Sequence, residues 1–368
     1  MVLTLRTFSA TGGIEKVCKL LAKAGTELAS ESNTGWFKLY SMYDEQHEAD
    51  ERYLPAAMFK GFGQKKIAFA KAAIKEAAAN NVIILSHINL LSIGYIIKIL
   101  FPSTRLVLLA HGIEVWGPLS FARKKMLAHC DRVLAVSEFT KDAVEPFLKN
   151  KVAVLNNCLD PYLLPPVVSN RHNDFARQYG LQPDDIVLMT LTRLSSKELY
   201  KGYDNVLYVL KEMLPKYPNL KYLLLGKSDV QEHQRLTQIA ANCGIANQVV
   251  FAGYIQEEDL AKHFSLADIY VMPSKKEGFG IVFIEAMYYG LPVIAGNIDG
   301  SADAVCNGAL GIMINPDSKE ELQAAIQNII TNRQQYLPNR ALLMSKFGFN
   351  EYKQRLNHLL QQVQKNDE

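Results

Sequence analysis

Glu277 and Glu285 flank a segment whose residue types could together hold a phosphate and a set of hydroxyl groups: Ser274-Lys275-Lys276-Glu277-Gly278-Phe279-Gly280-Ile281-Val282-Phe283-Ile284-Glu285-Ala286-Met287. An apolar run ends at Met272, glycines 278 and 280 punctuate a turn, and a helix is predicted from about Ile281. Open α/β sheets bind ligands at such strand ends. Free N–H groups at the helix start, with the positive end of its dipole, would hold a diphosphate without a metal. The two glutamates are eight residues apart, so an unbroken helix would carry them roughly on one side. The glycines instead place Glu277 in the turn and Glu285 inside the helix. Two carboxylates beside an anion site make electrostatic sense as acceptors for sugar hydroxyls. Alone, a Glu pair at this spacing is usually solvated helix surface. The glycines and the preceding strand favour the binding reading.

The elements that must position this segment are set by hydrophobic periodicity. Short apolar or β-branched runs alternate with helical-period segments along the whole chain, which predicts parallel sheets with helices on both faces. In the first half the predicted strands are residues 2–5, 36–40, 82–85, 106–110, 132–136 and 152–155, with helices at 14–24, 65–79 and 140–148. Asp160-Pro161-Tyr162-Leu163-Leu164-Pro165-Pro166 blocks helix and central strand alike and marks a linker. Beyond it strands are predicted at 186–191, 222–225, 249–252, 269–272, 293–295 and 311–314, with helices at 203–213, 231–243, 259–264 and 281–289. This predicts two Rossmann-like doubly wound domains, 1–163 and 164–346. The tail 347–368 is expected to hold a closing helix over 350–363, packing back toward the first domain, and to fray past Lys365. At 368 residues, two domains are also the expectation from size.

Composition excludes several classes. A hydrophobic share of 49% and a charged share of 21% are those of a globular protein. The longest apolar stretch, residues 88–101, contains Asn89 and Lys98 and is too short to span a bilayer. The start reads as a strand running into a glycine turn rather than a secretory signal, so a cytoplasmic location is expected. Cys18, Cys130, Cys158, Cys243 and Cys306 show no CxxC spacing, so buried free thiols are expected rather than disulfides or zinc. The net charge of +3 is uneven: residues 1–163 hold 20 Lys and Arg against 15 Asp and Glu, the remainder 20 against 22. That excess is far from what a duplex-binding protein needs, and nucleic acid is not an expected partner.

The segment 277–287 resembles the retaining glycosyltransferases of family 4, whose mark is two glutamates separated by seven residues within EGFG…EAM. The resemblance extends over essentially the whole chain. Gly12-Gly13, followed by Ile14-Glu15-Lys16-Val17, is similar to the family's glycine loop after the first strand. Arg193 with Lys201-Gly202 is similar to its basic diphosphate clamp, Lys201 preceding glycine where Lys197 does not. Phe251-Ala252-Gly253-Tyr254 is similar to the strand and loop that meet the nucleotide base. The resemblance implies the GT-B fold, with the two domains facing each other across a cleft.

It also implies roles. Glu285 would bind the ribose hydroxyls, while Glu277 and the amides of Gly278, Phe279 and Gly280 would contact the donor sugar. The amides of Ile281 and Val282 would lie nearer the diphosphate. Arg193 and Lys201 would stabilise the leaving diphosphate, the arginine as a fork and the lysine as a point charge. Gly12 and Gly13, lacking β-carbons, would let backbone approach the phosphates. His111 closes the strand at 106–110 and would support the reaction centre over the donor sugar. The catalytic group is thus His111, Glu277, Arg193 and Lys201. The implied reaction is transfer with retention, by front-face attack, from a GDP-mannose-type or UDP-hexose donor to a glycan or lipid-linked acceptor. No cofactor or metal is expected. Asp299-Gly300-Ser301 lacks the second acid of a DxD motif, and the other histidines show no metal spacing.

Blander readings stand beside these. Gly12-Gly13 could serve only a tight turn, and His111 could be a satisfied strand-end polar residue. Lys60, Lys65, Lys66, Lys71 and Lys75, interleaved with Phe59, Phe62, Ile67 and Phe69, read either as contact with the inner face of a cell membrane or as an amphipathic element packed on its own domain. A non-catalytic sugar-nucleotide-binding protein and a sugar-nucleotide epimerase remain alternative functions. Two segments depart from the family pattern: Gly226-Lys227-Ser228-Asp229 lacks a second glycine, and Gly296-Asn297-Ile298-Asp299-Gly300-Ser301 replaces a form ending in Pro-Glu.

Overall fold

The computed structural model describes residues 1–31, 37–148, 150–167 and 174–365. The chain divides into two compact units, Met1–Pro161 with Phe347–Glu368, and Tyr162–Lys346. The first holds seven strands: β1 (Val2–Thr4), β2 (Leu39–Ser41), β3 (Phe59–Gly61), β4 (Val82–Leu85), β5 (Arg105–Ala110), β6 (Arg132–Ala135) and β7 (Val152–Val154). Their order is β3-β2-β1-β4-β5-β6-β7 and every pairing is parallel. Parallel neighbours require crossovers, which helices such as Gly13–Glu31, Lys66–Ala77 and Leu91–Leu100 supply. Leu3, Leu39, Ile83, Leu85, Leu106, Leu108 and Val133 are buried, which is why these strands read as unbroken apolar runs.

The second unit repeats the architecture with β8 (Ile186–Leu191), β9 (Leu220–Leu225), β10 (Val249–Gly253), β11 (Ile269–Met272), β12 (Val293–Gly296) and β13 (Ile312–Ile314), ordered β10-β9-β8-β11-β12-β13 and again all parallel. Inside its core the hydroxyls of Thr190 and Tyr222 bond each other at 2.7 Å, which satisfies two buried polar groups at once. Both sheets are therefore doubly wound, as the alternation predicts. In each, the strand order reverses once, between β1 and β4 and between β8 and β11. At such a point the connections leave in opposite directions and open a crevice at the carboxyl ends of the strands.

Several local expectations are corrected. The strand predicted at 36–40 begins at Leu39, and its Trp36 lies outside the described residues. β3 falls inside the basic stretch, where Phe59-Lys60-Gly61 offers one apolar residue and no apolar run to read. Phe59, Phe62 and Phe69 pack inside the unit while Ile67 is 75% exposed, so the stretch forms a strand and an amphipathic helix. The helix predicted at 140–148 stops at Val144, because Pro146 lacks an N–H and the chain tightens into a 3-10 turn, Glu145–Phe147. Residues 88–101 hold a 3-10 turn, Ile88–Leu90, and the helix Leu91–Leu100. Among the described residues no helix is long and apolar enough to cross a membrane. All five cysteines are free; Cys18, Cys130 and Cys158 are buried, but Cys243 and Cys306 are only half-buried.

The helix Phe349–Lys365 belongs to the first unit, where it buries Phe349, Tyr352, Leu356 and Val363. Lys353 Nζ lies 2.9 Å from Glu27 and 2.6 Å from Glu31, both on the helix Gly13–Glu31. The tail past Lys365 lies outside the described residues.

Candidate functional site

In the second unit the loops after β8 and β11 face the same crevice and are tied together. Lys275 N–H donates to the Tyr200 carbonyl at 2.9 Å, which anchors the 3-10 turn Leu199–Lys201 beside the 273–280 loop. Lys201 Nζ then donates to Glu277 Oε2 at 2.5 Å, with side chains 13% and 19% exposed. Burial works to lower the pKa of Lys201, but the adjacent Glu277 carboxylate outweighs it and raises the pKa above the usual lysine value. Lys201 therefore stays charged at neutral pH.

The glycine turn ends in the helix Ile281–Tyr288, which no side chain caps. Its first residue outside the helix is Gly280, at φ 83°, in the left-handed region. A β-carbon there would also sit 2.4 Å from the Phe283 ring, so glycine is required twice over. Phe283 N–H bonds the Gly280 carbonyl at 3.0 Å, while the N–H groups of Ile281 and Val282 have no acceptor within the helix. Such a terminus can receive an anion. Phe279 is 1% exposed, so its ring is packed inside the unit. Glu285 lies in the second turn, 2% exposed; burial and the Glu285 charge together push the Tyr289 phenol up.

A brace that no residue spacing announces supports the turn from behind. Asp299, 2% exposed, lies on the loop after β12. Its Oδ2 accepts from Glu277 N–H at 2.7 Å and from Ser274 Oγ at 2.7 Å, and its Oδ1 accepts from Ser301 N–H at 2.9 Å. Gly300 N–H donates to the Glu277 carbonyl at 2.8 Å. A β-carbon on Gly300 would stand 2.0 Å from the Gly278 carbonyl oxygen. Burial raises the Asp299 pKa, against the lowering effect of these hydrogen bonds.

Arg193 lies just past β8, but its guanidinium is 70% exposed and pairs with Glu198. Both cations of the expected clamp thus meet carboxylates in this structure. The 193–198 loop is fastened to the loop after β9 by Asp229, which caps the helix Val230–Asn242 through Glu232 N–H at 2.7 Å and accepts from Ser196 N–H at 2.9 Å. Those two backbone donors hold its carboxyl below the usual aspartate value. An acid opening a helix is a capping signal that the sequence itself carries at Asp229. Tyr254, just past β10, is 48% exposed at the same edge of the sheet.

The first unit carries its own strand-end cluster. Asp44, fully buried after β2, accepts from the N–H groups of Thr7 at 2.7 Å, Phe8 at 3.2 Å and Ser9 at 3.1 Å, and from the Ser9 hydroxyl. It shapes the loop after β1 that leads to Gly12 and Gly13, and nothing in the spacing points to it. Gly13 opens the helix Gly13–Glu31. A β-carbon on Gly12 would meet only the movable Glu15 carboxylate, and one on Gly13 would meet nothing within 4 Å. Packing does not demand glycine at either position. His111, at the end of β5, donates through Nε2 to the Ser86 carbonyl at 2.6 Å, and its N–H bonds Glu114 Oε1 at 2.5 Å. Its Nδ1 is then the nitrogen left for other use. Among the described residues no group of three His, Cys, Asp or Glu is placed to hold a metal ion.

Comparison with known proteins adds the following. An uncharacterized glycosyltransferase of Methanocaldococcus jannaschii, MJ1607, is 26% identical over 216 residues, 57% of this chain and 54% of that protein. A GDP-mannose-dependent alpha-(1-6)-phosphatidylinositol monomannoside mannosyltransferase of Mycolicibacterium smegmatis is 28% identical over 262 residues, 66% of this chain and 64% of that protein. In both cases the match spans less than two thirds of the relative's length. The crystal structure of Anabaena Alr3699/HepE in complex with UDP and glucose superposes with a TM-score of 0.78 at 19% identity, covering 98% of this chain and all of that one. At that identity it is the fold, the two-domain GT-B architecture, that is shared. Residues 172–342, which contain the Lys201–Glu277 pair, the Asp299 brace and the helix from Ile281, match the family model described as glycosyl transferases group 1.

Proposed function

We propose that this protein is a glycosyltransferase that moves a hexosyl group from a nucleoside-diphosphate sugar to a glycan or lipid-linked acceptor, with retention and without a metal. The observation that carries the reading is the Lys201–Glu277 pair beside the uncapped helix start at Ile281. It sets a buried cation and free amide donors next to a carboxylate that can accept sugar hydroxyls, at the switch point of a doubly wound sheet.

In this reading the diphosphate sits at the amides of Ile281 and Val282 and draws Lys201 and Arg193 onto its oxygens. Arg193, itself 70% exposed, leaves Glu198 at little cost, since pairs with so exposed a member contribute about 0–1 kcal/mol. Glu277, with the amides of Gly278, Phe279 and Gly280, holds the donor sugar, and Glu285 takes the ribose hydroxyls. Tyr254 lies against the base. Gly12 and Gly13, which packing leaves free to carry side chains, stay bare so that backbone can approach the phosphates. His111, its Nε2 committed to Ser86, has Nδ1 and its main chain for a donor-sugar hydroxyl. As the anomeric bond breaks, charge gathers on the leaving phosphate, where the two cations and the helix terminus stabilise it. The leaving phosphate helps deprotonate the acceptor on the same face.

The mannosyltransferase relative favours a GDP-mannose-type donor over a UDP-hexose. A lipid-linked acceptor would bring the protein to the inner face of the cell membrane, where exposed Lys65, Lys66, Lys71 and Lys75 would meet anionic headgroups. The test is turnover of GDP-mannose, UDP-glucose and UDP-galactose by the purified protein with membrane-lipid and glycan acceptors, with and without EDTA. The anomeric configuration of the product is read by NMR. A retained product formed in EDTA is expected; nucleotide binding without transfer to any acceptor or to water would favour a non-catalytic binding protein.

A further inference from the structure

The carboxylate of Asp299 faces away from the solvent and into the back of the glycine turn, and no role in catalysis or binding has so far been attached to it. Its three hydrogen bonds reach two strands' loops: Glu277 N–H and Ser274 Oγ on the loop after β11, Ser301 N–H on the loop after β12. Ser274 Oγ also lies 3.1 Å from Ser301 Oγ, which closes a small buried ring of polar groups. On the other side of Glu277, Lys201 from the loop after β8 takes its side chain. Glu277 is therefore fixed twice, by its main chain to Asp299 and by its carboxylate to Lys201. Gly300 fills the remaining space so tightly that no side chain fits between it and Gly278.

We propose that Asp299 is a positioning residue for donor-sugar recognition: it sets the location of the Glu277 backbone and hence of the carboxylate and amides that hold the sugar. The inference rests on the glycosyltransferase reading for its consequence in turnover, and not for its consequence in loop order. Asp299 bonds directly only to the sugar end of the site. The proposed diphosphate and ribose contacts, Arg193, Lys201, Ile281, Val282 and Glu285, receive no hydrogen bond from it among those the structure gives. Loss of the brace should then separate the two halves of the donor, leaving the nucleoside diphosphate bound while the sugar is poorly placed.

Asp299→Asn is the discriminating variant because it keeps size and loses one acceptor. Whichever way the amide is turned, its NH2 group confronts a backbone N–H, that of Glu277 in one orientation and of Ser301 in the other. Gly300→Ala displaces the same turn by contact instead. For both, kcat with the nucleotide sugar is expected to fall about 100-fold, the scale of a misplacement near 1 Å. Affinity for free GDP and UDP, measured by calorimetry, is expected to stay within about twofold. Amide hydrogen exchange at Glu277–Gly280 should quicken selectively, a readout independent of turnover.

Unchanged exchange and unchanged kcat in Asp299→Asn would overturn the proposal. So would a parallel loss of nucleotide affinity, melting temperature and kcat, which is the signature of a merely structural residue. If the wild-type protein turns over no nucleotide sugar, the functional reading fails on that result, and the exchange measurement still decides whether Asp299 holds the turn.

Discussion

Lys201 and Glu277, 76 residues apart in sequence, meet at 2.5 Å across the switch point of the second sheet. Neither is exposed enough for water to screen the pair strongly, and each has a separate anchor, Tyr200 bonded to Lys275 and Glu277 bonded to Asp299. The lysine is thus held ready at the helix start while its charge is balanced by a group that can itself bind hydroxyls. In the proposed function this cation meets the leaving phosphate, and preorganised charge of this kind is where transition-state stabilisation is largest.

Replacing Lys201 by alanine removes the proposed phosphate cation and leaves the Glu277 carboxylate without this partner. The kcat/KM for the nucleotide sugar should fall about 100-fold or more, with stability lowered by about 1–3 kcal/mol, discounted from a fully buried pair because both side chains keep some solvent access. Arginine at this position should not restore activity, since its planar fork does not fit a site shaped for a point charge. Steady-state kinetics with a thermal melt checks both parts, and near-normal turnover in Lys201→Ala would remove it from the clamp.

Arg193 makes the opposite prediction for stability. Its guanidinium is 70% exposed and its partner Glu198 is a neighbour in the same loop, so Arg193→Ala should leave the melting temperature within about 1 °C. The donor KM should nevertheless rise about tenfold through loss of a charge-assisted contact. Glu198→Gln should lower the donor KM, because the arginine no longer has to leave a carboxylate. A KM that does not move in either variant would mean that Arg193 stays on Glu198 when the donor binds.

Hydrophobic period and glycine punctuation made much of this fold legible in the sequence. Long apolar runs buried on both faces, such as 186–191 and 106–110, announced the parallel sheets, and glycines 278 and 280 announced the turn beside Ile281. β2 lies a few residues later than the strand predicted for it, and β3 escaped because Phe59-Lys60-Gly61 presents no apolar run. The braces escaped for a different reason. Asp44 and Asp299 act through backbone N–H groups 35–37 and 22 residues away, and a backbone donor has no signature in side-chain types. The segment 296–301 could be seen to depart from the family pattern, but only the packing of two loops reveals that its aspartate supports Glu277.

Gly226 tests the architecture of the second sheet rather than its chemistry. It sits at φ 127° at the end of β9, and a β-carbon there would lie 1.8 Å from the Thr192 carbonyl oxygen. Its N–H donates to the Gly253 carbonyl at 2.7 Å, so the ends of β8, β9 and β10 converge on this one residue. Gly226→Ala should cost about 2–4 kcal/mol, combining backbone strain with a clash that no flexible group can relieve. Differential scanning calorimetry should show a drop of several degrees, and a change under about 1 °C would mean that the neighbouring loop yields without penalty.

The pair that joins the C-terminal helix to the first unit gives a pH prediction. Burial works to raise the pKa of Glu27, but hydrogen bonds and charge from Lys353 and Lys23 win and place it below its ordinary 4.5. Lys353 is raised above its ordinary 10.5, chiefly by its hydrogen bonds to Glu31 and Glu27. For the carboxylate, a depressed native pKa means that its stabilisation is present above about 4.5 and is lost as pH falls through the native value. For the lysine, a raised native pKa means stabilisation present below about 10.5 and lost as pH rises through the native value. The contact is therefore fully effective between those limits. Lys353→Met should lower the melting temperature by roughly 1–3 °C at pH 7, as suits a partly exposed pair in a protein of this size. The difference from wild type should shrink as pH falls below 4.5, where protonation of Glu27 breaks the same contact in the wild-type protein. A difference that persists undiminished at about pH 3 would mean that Lys353 stabilises the helix through packing of its methylenes instead of through Glu27.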